Sequence, residues 1–274
     1  MARPFCPVEL TDTHCHLDFP QLAADLPGVL ERARAAGVHR MITIGTSIEG
    51  SRQAIALAEQ HSCIFAAVGV HPNSAHEVEP GWLDELRQLA AHPRAVAIGE
   101  TGLDYFRLPK PKPGADDETK ARKAVQAEVF KAQLDLAAEL KRPVVIHERD
   151  AWDDTLLTLR AYTGRIRAVF HCFGRSFAHA ESLLALGHRV SFTGIATFPS
   201  APEAQACAAQ LPAGSFFVET DAPYLAPTPF RGKTCEPAHV VHTASHIAEL
   251  RGVSLERLAL ETESAAVKFF GLPG

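Results

Sequence analysis

Short apolar runs rich in Val, Ile and Phe recur along the chain, and segments with helical spacing of apolar positions separate them. The strand-like runs cover 9–16, 40–46, 64–72, 95–101, 143–148, 168–173, 189–194 and 216–221. Apart from 9–16, each holds a stretch rich in apolar residues, which is how strands covered on both faces of a parallel sheet read. The helical pattern covers 22–37, 51–61, 82–92, 124–140 and 176–187. Two more helices are expected after the last strand, near Pro237–Arg251 and Ser254–Phe270.

Eight strands alternating with helices in 274 residues predict an α/β fold, the (β/α)8 TIM barrel. A doubly wound open sheet is the competing topology, but no GxGxxG follows the first strand. No linker-like stretch divides the chain, so a single domain over 1–274 is expected. The one irregular insertion is Leu108–Lys123, LPKPKPGADDETKARK, whose Pro, Gly and charge read as an exposed loop.

Composition narrows the options. Lys and Arg number 27 against 32 Asp and Glu, a net charge of −5. A chain so charged has no global cationic field for nucleic acid, so any phosphate binding must be local. No apolar run reaches membrane-spanning length, and MARPFCPVEL lacks the apolar stretch of a signal peptide. A cytoplasmic protein without membrane attachment is expected. Cys6, Cys15, Cys63, Cys172, Cys207 and Cys235 are scattered with no CxxC, so they read as reduced thiols, neither a disulfide framework nor a zinc-thiolate site.

The unusual polar residues fall where the apolar runs stop. His14 and His16 end strand 1, Glu100 strand 4, His147 strand 5, His171 strand 6 and Asp221 strand 8. In a barrel those carboxyl ends share one face, where the active site sits. His147 and His171 are 24 residues apart, one strand–helix unit, and His171 and Asp221 are 50 apart, two units. In HCH the two imidazoles share one side of a strand, with Cys15 on the other. Four His and two carboxylates suit divalent ions such as Zn²⁺ or Mn²⁺, with Mg²⁺ if waters complete the shell. Six ligands exceed the needs of one tetrahedral ion. Two ions bridged by a carboxylate would use them all, and Glu100 is the natural bridge.

The segments TDTHCHLDF, GVHP, IGETGLDYF, PVVIHERDA, HCFGRS, VSFTGIATF and VETDAPYLAP, followed by PFRGK and EPAHV, resemble the TatD family of metal-dependent deoxyribonucleases, one of the amidohydrolase-like barrels. The resemblance runs from about Leu10 to Phe270. It implies two divalent ions and hydrolysis of DNA phosphodiesters, often as a 3′→5′ exonuclease and sometimes as an endonuclease. It places His14, His16 and Asp221 at one ion and His147 and His171 at the other, with Glu100 between. It puts His71 of GVHP and Glu219 of ETD near the substrate phosphate, which with Asp221 and Glu100 makes the catalytic set. The chain departs from the family in HCFGRS, where HCFSG is usual, at Cys235 after RGKT, and at Ser264, where Asn is usual. None of these removes a proposed ligand.

The expected chemistry is in-line attack on phosphorus by a metal-activated water, with Asp221 as ligand or proton acceptor and His71, Arg175 or Arg107 at the phosphate. The expected substrate is a single-stranded DNA 3′ end. Arg107, Lys110, Lys112, Lys120, Arg122 and Lys123, with Arg231 and Lys233, supply local positive charge, and Tyr105, Phe106 and Phe173 offer faces on which bases could stack. Asp104 and Asp150 read as capping or loop-bracing residues. His39, His92, His188 and His246 read as surface or helix-end residues, whereas His239, His242 and His246 share a helix face that could hold an adventitious metal. Two other hydrolases fit the same ligands, an amidohydrolase on a small cyclic amide or ester and a D-aminoacyl-tRNA deacylase. A non-catalytic metal-binding scaffold is the fourth reading. Glu100 counts against the amidohydrolase, because many of those enzymes bridge their metals with a carboxylated Lys. No obligate protein partner is expected, and a monomer is the default.

Overall fold

The computed structural model of the protein describes residues 8–109 and 116–273. Its strands are β1 (Leu10–Cys15), β2 (Val38–Ile44), β3 (Ile64–Val68), β4 (Ala95–Asp104), β5 (Val144–Arg149), β6 (Ala168–Phe170), β7 (Arg189–Phe192) and β8 (Phe216–Val218). The helices are α1 (Pro20–Ala23), α2 (Leu26–Ala35), α3 (Ile48–Gln60), α4 (Trp82–Ala90), α5 (Asp116–Leu140), α6 (Trp152–Arg160), α7 (Phe177–Ala185), α8 (Pro202–Gln210), α9 (Val240–Arg251) and α10 (Leu255–Phe270). The strands form one sheet in the order β1-β2-β3-β4-β5-β6-β7-β8. Every described pairing is parallel. Parallel neighbours in sequential order, each reached through a helix, are the topology of the (β/α)8 barrel.

The chain divides into two compact units. The first comprises the described residues up to 43, with 172–185 and 189–273. Its core is aromatic. Phe217 of β8 meets Phe269 and Phe270 of α10 at 5.1 and 5.5 Å between ring centres, and Phe192 of β7 meets Phe216 at 5.6 Å. Glu263 of α10 takes a hydrogen bond from Thr11 Oγ1 at 2.6 Å and one from Arg40 at 2.5 Å, which pins the helix to β1 and β2.

The second unit comprises the described residues of 44–171 and 186–188. Ile64, Val68, Ile98, Phe130, Leu134, Val144 and Ile146 are buried in it. Two buried glutamines of α5 act as extra strand backbone. Gln133 accepts from Val70 N at 2.8 Å and donates to Val70 O at 2.9 Å, and Gln126 does the same for Asp104 at 3.0 and 3.1 Å. Each amide supplies one donor and one acceptor, so each satisfies both polar groups of a residue at a strand end.

The structure moves three sequence-based boundaries. The expected loop at 108–123 is helical from Asp116 onward, within α5. Its Glu, Lys, Ala and Arg content favours helix, and Glu118 pairs with Arg122 at 3.7 Å, four residues on. Cys6, Lys110 and Lys112 lie outside the described residues. β6 and β8 have three residues each, so His171 and Asp221 follow their strands instead of ending them. Glu100 lies inside β4, which continues to Asp104, and His147 lies inside β5. His188 is fully buried, not at the surface, and its Nδ1 accepts from Ala168 N at 3.3 Å.

Candidate metal centres

In the first unit β1 carries His14, and His16 directly follows it. Both are buried, with ring centres 5.1 Å apart. Strand alternation turns Cys15 the other way, where its thiol donates to Ile42 O at 3.5 Å. After β8 the chain pairs with β1 again. Asp221 N donates to His14 O at 2.8 Å and His16 N donates to Ala222 O at 2.7 Å. Asp221 adopts φ of +58° there. Its Oδ1 stands 3.6 Å from His14 Nε2 and 3.3 Å from His16 Nε2.

Asp12 braces this return, a role that sequence reading misses. Its carboxylate accepts from Thr220 N at 2.9 Å, Thr220 Oγ1 at 2.6 Å and His14 N at 3.3 Å. Burial pushes its carboxyl up to about 8 despite these bonds. Glu219 is also buried. One oxygen accepts from Cys172 N at 2.6 Å and the other from Ser191 Oγ at 2.5 Å.

In the second unit a register shift between Ile98 and Thr101 interrupts the pairing of β4 with β5 at Glu100. Such a bulge re-aims a side chain. Glu100 Oε1 lies 2.9 Å from both His147 Nδ1 and His171 Nε2, and the two nitrogens are 3.2 Å apart. His71, just after β3, brings Nε2 to 3.5 Å from the same oxygen. Its Nδ1 accepts from Asn73 N at 3.0 Å. Burial lowers the His71 pKa to about 4 against the pull of Glu100, so its imidazole is neutral at pH 7.

Asp104 closes the cluster from behind. It is 1% exposed, and its Oδ2 stands 3.4 Å from His147 Nε2. Burial opposes the charge on Asp104, but contacts from His147, Arg107 N and Asn73 hold its pKa down to about 2. Burial likewise disfavours charge on His147, yet Asp104 and Glu100 raise its pKa. Nothing in GLDY marks Asp104 as part of a site, because two of its partners, His147 and Asn73, are more than 30 residues away in sequence.

The donor sets fit divalent cations. Nitrogen and oxygen ligands at about 2.0–2.1 Å in a tetrahedron stand about 3.3 Å from one another. The His–carboxylate separations in both clusters, from 2.9 to 3.6 Å, bracket that value. The ligand atoms of His14, His16 and Asp221 lie within 4.8 Å of one another, as do those of His71, Glu100 and His147. The helical trio His239, His242 and His246 makes no such cluster among the described residues. There, His239 stacks on Phe230 at 4.4 Å and caps its own turn through Glu236 N at 3.2 Å.

A family model described as TatD related DNase matches residues 11–271. The chain is 36% identical over 262 residues to the uncharacterized metal-dependent hydrolase YabD of Bacillus subtilis, covering 95% of this chain and 98% of that protein. It is 34% identical over 270 residues to the 3'-5' ssDNA/RNA exonuclease TatD of Klebsiella pneumoniae, covering 95% and 97%. The crystal structure of YJJV, a TatD homolog from Escherichia coli, superposes with a TM-score of 0.87 at 30% identity, covering 97% of this chain and 99% of that one.

Proposed function

The chain belongs to the TatD related DNase family, and we propose that this metal-dependent hydrolase cleaves phosphodiester bonds from the 3′ ends of single-stranded DNA. The observation that carries the reading is the convergence of His147 and His171 on one Glu100 oxygen, both at 2.9 Å. Two imidazole nitrogens and a carboxylate held so close are a ligand set for a divalent ion. His14, His16 and Asp221 make a second set, so two ions per chain are proposed, Mg²⁺, Mn²⁺ or Zn²⁺. Bound ions supply Lewis acidity for the phosphoryl oxygens and the entering oxygen.

The chain's own residues do the rest. Asp221 is part-exposed beside two buried imidazoles, placed to hold an ion or take a proton from the attacking water. His71, neutral at pH 7, offers a hydrogen bond to a phosphate oxygen without adding a charge that would repel a cation. Glu219, with both oxygens engaged, fixes the backbone at Cys172. Its carboxylate therefore serves the reaction through position. The Klebsiella relative's name, a 3'-5' exonuclease of ssDNA and RNA, supports the choice of substrate.

The test is a 3′-labelled single-stranded oligonucleotide incubated with protein and Mg²⁺ or Mn²⁺. A stepwise ladder from the 3′ end is expected, and it vanishes with chelator and in Glu100→Ala. Cleavage that survives chelation, or no cleavage under any metal, refutes the assignment. Native mass spectrometry should count two ions per chain, falling by one in His16→Ala.

A further inference from the structure

We propose that Asp104 and Asn73 are positioning residues that give the two imidazoles beside Glu100 opposite duties: His147 presents an Nδ1 lone pair to a divalent ion, while His71 keeps a proton on Nε2 and stays out of the coordination shell. The inference rests on the metal reading above. It separates two residues that proximity alone places in one ligand group with Glu100.

Proton placement tells the two rings apart. His147 Nε2 is buried, makes no hydrogen bond of ordinary length, and faces Asp104 Oδ2 at 3.4 Å. A lone pair turned toward a carboxylate is repelled, so Nε2 carries a proton; Nδ1 also faces a carboxylate, Glu100 Oε1 at 2.9 Å, and on that side, which His171 shares, a divalent ion takes the place of the proton. A carboxylate behind a ligating imidazole is a recurring device for fixing its tautomer. At His71 the situation is reversed. Its Nδ1 accepts Asn73 N–H at 3.0 Å and so holds the lone pair. The proton of the neutral ring then sits on Nε2, which points at Glu100 Oε1 at 3.5 Å. Ligation through that nitrogen would require moving the proton to Nδ1, against the Asn73 N–H.

One side chain joins the two imidazoles. Asn73 Nδ2 donates to Asp104 Oδ2 at 3.1 Å, and Arg107 N donates to Oδ1 at 3.2 Å. Both Asp104 oxygens therefore face donors, which an Asn at 104 cannot satisfy, because its amide nitrogen must face one of them.

The experiment is two-bond ¹H–¹⁵N spectroscopy of the histidine rings in the full-length labelled protein. Spectra are taken metal-free and after adding Zn²⁺ as a diamagnetic probe, with His71→Gln and His147→Gln for assignment. His147 Nε2 should be protonated in both states, with Nδ1 moving on zinc addition. His71 should show protonated Nε2 and bare Nδ1 in both. An unprotonated His147 Nε2, or loss of the His71 Nε2 proton on zinc addition, overturns the inference. If zinc leaves every nitrogen of His147 and His171 unmoved, the metal reading fails instead, and the two are thereby told apart. Asp104→Asn should weaken zinc about 10–100-fold in chelator competition with unchanged far-UV circular dichroism. Zinc affinity equal to wild type with Nε2 still protonated counts against the proposal. Should that variant not fold, the wild-type spectra decide.

Discussion

Asp135 on α5 accepts from Lys131 Nζ at 2.9 Å and from the Tyr162 hydroxyl at 2.8 Å. Partial burial opposes its charge, but the two hydrogen bonds outweigh that and lower its pKa. A carboxyl with a depressed folded value adds stability that is fully present above its unfolded value of about 4. That contribution is lost as pH falls through the depressed value. Asp135→Asn should therefore destabilise the protein at pH 7 by under about 1 kcal/mol, small because the side chain is 48% exposed and screened. Urea titrations should show the gap to wild type closing toward pH 2. At some positions the residue type is itself the signal, and the structure brings those residues together in two clusters. His14, His16, Glu100, His147, His171 and Asp221 stand out because imidazoles and carboxylates interrupt apolar runs. Sequence reading fails for Asp104, Asn73 and Asp12, each of which has a partner far away in sequence (His147, Asp104 and Thr220) and whose types are common in turns.

The close approach of β4 and β5 is what brings Glu100 to His147. Gly102 pairs with His147 in register and has φ of +140°. A Cβ there would sit 2.0 Å from the His147 carbonyl oxygen, so the backbone would have to move. Gly102→Ala should cost at least about 2 kcal/mol and lower metal affinity together, since strain and overpacking act at one place. A stable Gly102→Ala protein with normal metal binding would contradict this. Periodicity located the strands and the last two helices, because burial of both sheet faces writes itself as apolar runs. It did not show that β4 continues past Glu100, since a bulge changes pairing without changing hydrophobicity. Nor did it show that α5 begins at Asp116, because a charged first turn has no apolar face to read. The strand-mimicking Gln126 and Gln133 are seven residues apart on one helix face, yet polar spacing of that kind normally signals a solvated surface.

At the scale of the molecule, the sequential parallel order of eight strands follows from the alternation of runs, and the likeness of 0.87 in TM-score to a TatD homolog agrees with it. No helix of the described residues is long and apolar enough to cross a membrane. With a net charge of −5 the chain has no global cationic field, so the proposed nucleic-acid strand would be held by local cationic groups alone. Three phosphate contacts on a single strand give a salt slope of about −2, so a fourfold rise in salt should weaken oligonucleotide binding by about 20-fold. Fluorescence anisotropy in chelator would measure it, and a slope several times steeper would point to a broad basic face instead.

The thiols have a practical bearing. Cys15, Cys207 and Cys235 are buried, and burial pushes all three thiols up, Cys207 to about 12. Maleimide attacks thiolate that it can reach, so these three should resist it. Cys63 and Cys172 are only part-buried, and one falls in each compact unit. Burial also pushes the Cys63 thiol up, so with Cys6 replaced by Ser the protein should take up two labels slowly, a count that the mass of the intact protein reads directly.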